Sequence, residues 1–316
     1  MSEPSTAQCW AVVVNPSKFT DVAQVKSDLA QLCETRGWRE PSWYETTVED
    51  PGEGQARTAL EDGAELVCPL GGDGTVRAVA SGLMGSGRPM GLLPSGTGNL
   101  LARNLNLPVT DLEAALDIAM TGQDLKIDVG EVAWDDDEPA TFLVMAGMGF
   151  DAEMMAGVDD GLKKKVGWVA YALSGAAALI RLGFGVRVRT DSQRAVSQHA
   201  RTVLVANCGE LTGGLQLIPE AELDDGRLDI VLASPRSLGS WLALALHFIS
   251  RRRRGHPALV HLTSEQVDIL TREPIEAQLD GDAVGRRKRM RARVRPGALT
   301  VRVGADGGAD AALNKP

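Results

Sequence analysis

Two glycine-rich turns, each caught between an apolar strand and a helix, constrain this chain more than any other feature. Gly71-Gly72-Asp73-Gly74-Thr75 follows the apolar run Glu65–Leu70 and opens a helical pattern over Val76–Met84. Gly91-Leu92-Leu93-Pro94-Ser95-Gly96-Thr97-Gly98-Asn99 repeats the theme, overlapping the strand Met90–Leu93 and leading into Leu100–Leu105. Successive glycines let backbone N–H groups turn toward one point, and a helix N-terminus adds its partial positive charge. Such a nest suits phosphate. Asp73 is out of place in a pure anion site and becomes sensible if Mg²⁺ lies between carboxylate and phosphate. A plain strand-to-helix turn is the alternative for either loop alone.

The same alternation fills the rest of the N-terminal half. Trp10–Val14 reads as a strand stopped by Asn15-Pro16, and residues 20–36 as a helix closed by Gly37. A strand over Trp38–Tyr44, a helix over Gln55–Leu60 and a helix over Asp111–Met120 continue the series. Repeated strand–helix units predict a parallel, layered α/β domain, and ligands of such sheets bind at the strand ends.

The texture changes near residue 125. Short strands follow one another: Leu125–Val132, Ala140–Met145, Val186–Arg189, Thr202–Asn207, Leu228–Ala233, Val267–Thr271, Ile275–Leu279 and Ala298–Val303. These predict an antiparallel β-sandwich or barrel. Two helical patterns interrupt it, at 160–182 and at Leu238–Ile249, the second followed by Arg251–Arg254. Either suits an anionic membrane surface or a core with a cationic cap. The expected division is an α/β domain over 1–130, a β-rich domain over 131–300, and a tail over 301–316. A length of 316 residues suits two modest domains.

Charge is uneven. The formal net charge is −9; residues 1–132 carry a balance of −10 and residues 133–316 a balance of +1. This disfavours nucleic acid as a partner. Arg286–Arg295 alternates basic residues along an expected strand, which reads as a solvated face. The four cysteines are scattered without a CxxC pair, as in a reducing cytosol. Met1 to Gln8 lacks the order of a signal peptide, and no apolar run reaches the roughly 18–20 residues that span a bilayer. A cytoplasmic protein is expected, with any membrane contact peripheral at the inner face. Neither GxxxxGK[ST], HExxH nor GxSxG occurs, which removes P-loop, zinc-protease and α/β-hydrolase chemistry.

Taken in order, Asn15-Pro16, Gly71–Thr75, Pro94–Asn99, Lys126–Gly130, Gly147–Asp151, Pro219–Asp229 and Leu279-Asp280-Gly281-Asp282 resemble the diacylglycerol kinase catalytic family, which includes bacterial soluble lipid kinases and sphingosine kinases. The glycine-aspartate loop alone is shared with NAD kinases. The resemblance implies an NAD kinase/diacylglycerol kinase-like α/β domain plus a β-sandwich, and a kinase using ATP and Mg²⁺ on a lipid hydroxyl. It implies ATP contacts at Asn15, Pro16, Ser17, Lys18, Thr46 or Thr47, Gly71, Gly72, Asp73, Gly74, Thr75, Gly96, Thr97 and Asn99. It implies a structural Mg²⁺ held by Asp225 with the carbonyls of Glu222 and Arg227, where an Asp-Gly hairpin turn is the other reading. It makes Asp282 the general base, where the family carries Glu. Lys18-Phe19 replaces the family's glycine after Asn-Pro-x-Ser, and Leu100 stands where many bacterial members carry Asp. Asp128 matches a further family carboxylate near the metal; a strand-end cap is the alternative. A homodimer is a family-level expectation. NAD kinase and a catalytically silent lipid-binding protein are the competing functions.

Overall fold

The computed structural model describes residues 9–149, 183–192, 195–211, 215–216, 218, 221–235, 239–240 and 257–305. The helices expected over 160–182 and Leu238–Ile249 lie outside the described residues, save for Gly239 and Ser240. The chain divides into two compact units, Met1–Val129 with Pro296–Pro316, and Gly130–Arg295.

In the first unit, β1 (Trp10–Val14), α1 (Val22–Arg36), β2 (Ser42–Glu45), α2 (Glu53–Glu61), β3 (Leu66–Gly71) and α3 (Asp73–Leu83) alternate as the sequence predicts. Then come β4 (Pro89–Met90), β5 (Leu93–Pro94), α4 (Leu100–Asn104) and α5 (Leu112–Thr121). The strand expected over Met90–Leu93 is therefore two short strands. Strand β1 pairs in parallel with both β2 and β3, and β3 with both β4 and β5. A parallel strand covered on both faces must be apolar throughout; Trp10 to Val14 are all buried. Helix α1 is defined at both ends by local chemistry. The Asp21 side chain accepts the Gln24 amide at 3.0 Å, and Gly37 takes a left-handed φ of 68°. Leu29 and Cys33 of α1 pack with Val12, Val14, Leu66 and Cys68 to form the core of this unit.

Strand β6 (Gln123–Trp134) carries the chain into the second unit. There follow β7 (Ala140–Phe142), β8 (Met145–Met148), β9 (Phe184–Thr190), β10 (Ala195–Ala200), β11 (Thr202–Ala206), β12 (Glu210–Leu211), β13 (Leu215–Gln216), β14 (Leu228–Ala233), β15 (Leu259–Ser264), β16 (Gln266–Leu279) and β17 (Asp282–Val303). Within the second unit the order β15-β14-β11-β8-β16-β17 is antiparallel where register is defined. Strands β10 and β15 carried no clear sequence signal, because polar residues dominate their exposed faces. The two strands expected over Val267–Thr271 and Ile275–Leu279 are one long β16. A register shift between Leu270 and Ile275 absorbs the Pro274 that marks the break in sequence. Val188, Ile230, Ile269, Met148 and Met290 centre the core of this unit.

The C-terminal end of β17 does not stay in the second unit. Thr300 and Val301 pair in parallel with Pro89 and Met90, so residues assigned from sequence to the second domain and to the tail complete the first unit's sheet. Parallel pairing with a buried strand is what retains Leu299, Val301 and Val303, all buried.

Candidate functional site

The two glycine turns lie at the ends of neighbouring parallel strands. Leu70 and Gly71 of β3 pair with Leu93 and Pro94 of β5, and the Ser95 amide donates to the Gly71 carbonyl at 3.4 Å. Helix α3 begins at Asp73, earlier than the expected Val76, so Gly72 is its N-cap and Asp73-Gly74-Thr75 form its first turn. First-turn amides such as those of Gly74 and Thr75 have no acceptor within their own helix.

Asp73 joins one turn to the other. Its Oδ2 accepts the Asn99 amide at 3.0 Å and its Oδ1 accepts the Leu100 amide at 2.6 Å, which caps α4 from a distant part of the chain. Asn99 is buried with a left-handed φ of 48°. Its side chain closes the turn on Gly96, accepting the Gly96 amide at 3.1 Å and donating to the Gly96 carbonyl at 2.8 Å. Glycine is needed where the turns approach each other. A Cβ on Gly96 would lie 2.8 Å from the Gly72 Cα, and one on Gly98 would collide with Asp73 Oδ2. Arg103 adds a bond from Nε to the Gly98 carbonyl at 2.7 Å. Thr97, at the tip, is exposed.

The first expected contact loop belongs to the same cluster. Pro16–Lys18 form one 3₁₀ turn capped by Asn15, whose Oδ1 accepts the Ser17 amide at 3.1 Å and the Ser17 hydroxyl at 2.7 Å. Asn15 Nδ2 donates to Thr75 Oγ1 at 3.4 Å, and a Cβ on Gly72 would sit 3.7 Å from Lys18 Cε. Asn15, Pro16, Ser17, Lys18, Gly71 to Thr75, Gly96, Thr97 and Asn99 thus form one set. Thr46 and Thr47 separate in character. Thr46 is buried with its amide on the Val14 carbonyl, while exposed Thr47 accepts the Asp50 amide at 3.1 Å and shapes the turn into α2.

In the second unit, the Leu279-Asp280-Gly281-Asp282 turn has two carboxylates with opposite fates. Asp280 is buried at φ 48° and accepts the amides of Leu143, Val144 and Met145 at 3.0, 2.9 and 2.9 Å. Burial, and then the Asp280 charge, hold the Cys208 thiol well above its ordinary range. Asp282 opens β17 and is exposed. In the Glu222–Arg227 loop, Asp225 Oδ1 accepts the Arg227 amide at 2.9 Å, and Gly226 supplies a φ of 72°. The carboxylates of Glu222, Asp224 and Asp225 are exposed there. This donor set is all oxygen, which fits a hard cation. Among the described residues no group of three or more His, Cys, Asp or Glu side chains is placed to hold a metal. Asp128 is buried in the first unit, and its Oδ1 accepts the Gly297 amide at 2.7 Å.

Comparison with known proteins identifies this arrangement. Residues 9–132 match the model of the diacylglycerol kinase catalytic domain, and residues 144–303 match the YegS C-terminal NAD kinase β-sandwich-like domain. The chain belongs to the diacylglycerol kinase and YegS-like lipid kinase family. The protein named probable lipid kinase YegS-like in Klebsiella pneumoniae is 31% identical over 78% of this chain and 81% of its own. The diacylglycerol kinase of Bacillus subtilis is 27% identical over 87% of this chain and 89% of its own. A longer, uncharacterised Synechocystis protein is 29% identical over 71% of this chain, a match that spans about half, 52%, of that relative. Among solved structures, a diacylglycerol kinase from Bacillus anthracis superposes with a TM-score of 0.67 at 20% identity, covering 95% of this chain and 98% of that one. An NAD kinase from Archaeoglobus fulgidus in complex with ATP gives 0.52 at 13% identity, with 94% of each chain covered. These two structures speak to the fold alone.

The protein is a lipid kinase, and its family implies a nucleotide as phosphoryl donor. Among the described residues of this lipid kinase, no helix is long and apolar enough to cross a membrane. Two residues that hold candidate turns, one in each unit, escaped sequence reasoning. Asp280 was read only as part of a motif, although an Asp-Gly pair between two strands is a signal for a left-handed carboxylate that can cap nearby backbone. Arg103 gave no local signal at all.

Proposed function

We propose that this lipid kinase transfers the γ-phosphoryl group of ATP, with Mg²⁺, onto the hydroxyl of diacylglycerol or a closely related lipid alcohol. The observation that carries the reading is the brace from Asp73 to Asn99 and Leu100, which locks two amide-rich turns at adjacent strand ends. Phosphoryl transfer asks the protein mainly for positioning and for neutralised charge. In this reading the Gly71–Thr75 and Gly96–Asn99 turns hold phosphate oxygens through backbone amides, with Lys18 adding a cation beside Gly72. Asp73 positions the second turn. Asp225 and the carbonyls of Glu222 and Arg227 would hold a structural Mg²⁺. Bound Mg²⁺ supplies positive charge that offsets phosphate charge.

Asp282 takes the hydroxyl proton as the general base. The lipid oxygen forms the new bond to the γ-phosphorus, the bond to the β,γ-bridging oxygen breaks, and ADP leaves. The exposure of Asp282, unlike that of Asp280, leaves it accessible to an acceptor. Diacylglycerol is preferred because the catalytic-domain match and the B. subtilis relative carry that name.

The test is transfer of labelled γ-phosphate from ATP to diacylglycerol, sphingosine and ceramide in mixed micelles, with NAD in a parallel reaction. Label in diacylglycerol, dependent on Mg²⁺, is the expected result. Label in another lipid alone reassigns the acceptor. Label in NAD alone, or ATP binding without transfer to any acceptor, overturns the proposal.

A further inference from the structure

The outward face of the second unit's sheet concentrates positive charge that the reaction does not use. Strands β9, β16 and β17 lie side by side, with Leu270 of β16 opposite Arg187 of β9 and opposite Arg289 of β17. Asp268, two residues earlier, stands between Arg189 and Arg291 in the same register. Alternation places Val188, Ile269, Met290 and Ala292 in the core, so the arginines between them point outward. A solvated face of an antiparallel sheet needs polar residues, but it does not need them to share one sign.

Asp268, Glu131, Asp136 and Asp137 temper the charge without cancelling it. Asp268 bonds Arg289 at 2.8 Å and Arg189 at 2.8 Å, and Glu131 bonds Arg293 at 2.6 Å. Among the described residues Arg291 makes no ion pair and donates to the Asp135 carbonyl at 2.7 Å. Arg187 makes no ion pair among the described residues. In their midst Leu270 is 43% exposed, one of two exposed large apolar side chains among the described residues, the other being Val48 in the first unit. Leu270 is flanked by guanidiniums on both neighbouring strands and takes no part in the core of this unit. The whole chain is acidic, so this face is a local concentration and not an average.

We infer that this face docks on an anionic lipid bilayer, with Leu270 entering the headgroup layer and Arg187, Arg289 and Arg291 meeting lipid phosphates. The choice of a bilayer rests on the chain being a lipid kinase, whose substrate lies in a membrane. Each arginine at such a surface contributes attraction that decays within a Debye length. Interfacial apolar residues beside cations are the usual composition of a surface-binding element. A polynucleotide fits less well: the named face offers no aromatic ring for base stacking.

The experiment is co-sedimentation of the full chain with vesicles of phosphatidylcholine, and with vesicles of equal parts phosphatidylcholine and phosphatidylglycerol, without ATP. The unaltered protein is expected to bind the mixed vesicles and to be released by salt. The pair R187E/R291E should weaken that binding by at least about tenfold, and L270D should weaken it with the charges intact. Thermal melts, and turnover on a short-chain, water-soluble diacylglycerol, should match those of the parent. Equal binding of both variants to mixed vesicles, or equal binding of the parent to phosphatidylcholine alone, overturns the inference. So does retention of homopolymer RNA that R187E/R291E abolishes in the absence of vesicle binding. Vesicle binding that depends on these residues, in a protein that phosphorylates no lipid, would instead sink the acceptor reading and leave this face standing.

Discussion

The Asp73 carboxylate accepts the backbone amide of Asn99 at 3.0 Å, so the first glycine turn holds the second through a single side chain. Replacing Asp73 by Ala removes acceptors for the Asn99 and Leu100 amides together. Misplacing phosphate donors by about 1 Å can cost roughly 10²-fold in rate. Asp73→Ala should therefore lower kcat/KM for ATP by about that factor. Asp73→Asn, which keeps one acceptor oxygen, should recover part of the loss. Steady-state kinetics of both variants, alongside thermal melts, decide it; full activity in Asp73→Ala would remove the brace.

Asp282 is exposed at the start of β17, so its loss should hardly touch stability, within about 0.5 kcal/mol. Loss of a general base costs about 10²–10⁴-fold. Asp282→Ala should fall by that much in kcat with ATP affinity retained, and Asp282→Glu, the family's residue, should remain active. Substantial turnover by Asp282→Ala takes the base role away from it.

Asp280 is expected to behave in the opposite way. Its buried carboxylate serves three backbone amides, and each buried donor left without an acceptor costs about 1–3 kcal/mol. Asp280→Ala should destabilise the protein by about 3 kcal/mol or more in urea unfolding. Asp280→Asn should cost less, because it tolerates the left-handed backbone and retains an oxygen. Equal stability of all three proteins would contradict this.

Asp225 organises its loop through the Arg227 amide and is the one side chain proposed to hold Mg²⁺ there. Asp225→Ala should shift the Mg²⁺ dependence of turnover to higher concentration, and should abolish any rise in melting temperature that Mg²⁺ gives the parent. An unchanged Mg²⁺ titration by both readouts rules the loop out as a metal site.

Burial pushes the Cys33 thiol from 9.0 up to about 11, with Glu40 adding to the shift, and it pushes the buried Cys68 and Cys208 thiols up as well. A folded pKa above the unfolded one gives a contribution fully present below the unfolded value and lost as pH rises through the folded value. Stability should thus decline from about pH 9 toward pH 11. At pH 8 Cys9, which is partly exposed, should react with a thiol reagent well before the other three. Rapid titration of all four thiols in the folded protein would refute the packing described.

Much of this molecule was legible in short stretches of chain. Gly37 and Asp111 mark helix ends because capping is decided within a few residues. The glycine turns and the Asp225-Gly226 loop could be read for the same reason, as could the change from parallel α/β to antiparallel β near residue 125. The arginine alternation of β17 likewise announced an outward face.

What sequence alone determined, then, was the set of elements and the residue types at each turn, since backbone φ and capping are local physics. Tertiary structure alone decided which turn Asp73 braces, which amides Asp280 serves, that Thr300 and Val301 close the first unit's sheet beside β4, and that Leu270 stands between Arg187 and Arg289. Each of those relationships joins residues far apart in sequence, from 19 positions for Leu270 and Arg289 to 211 for Thr300 and Pro89. Such pairs form only through strand register and the burial that enforces it: a carboxylate displaced from its amides would leave buried donors unpaired, and a one-residue slip would turn a core side chain into water.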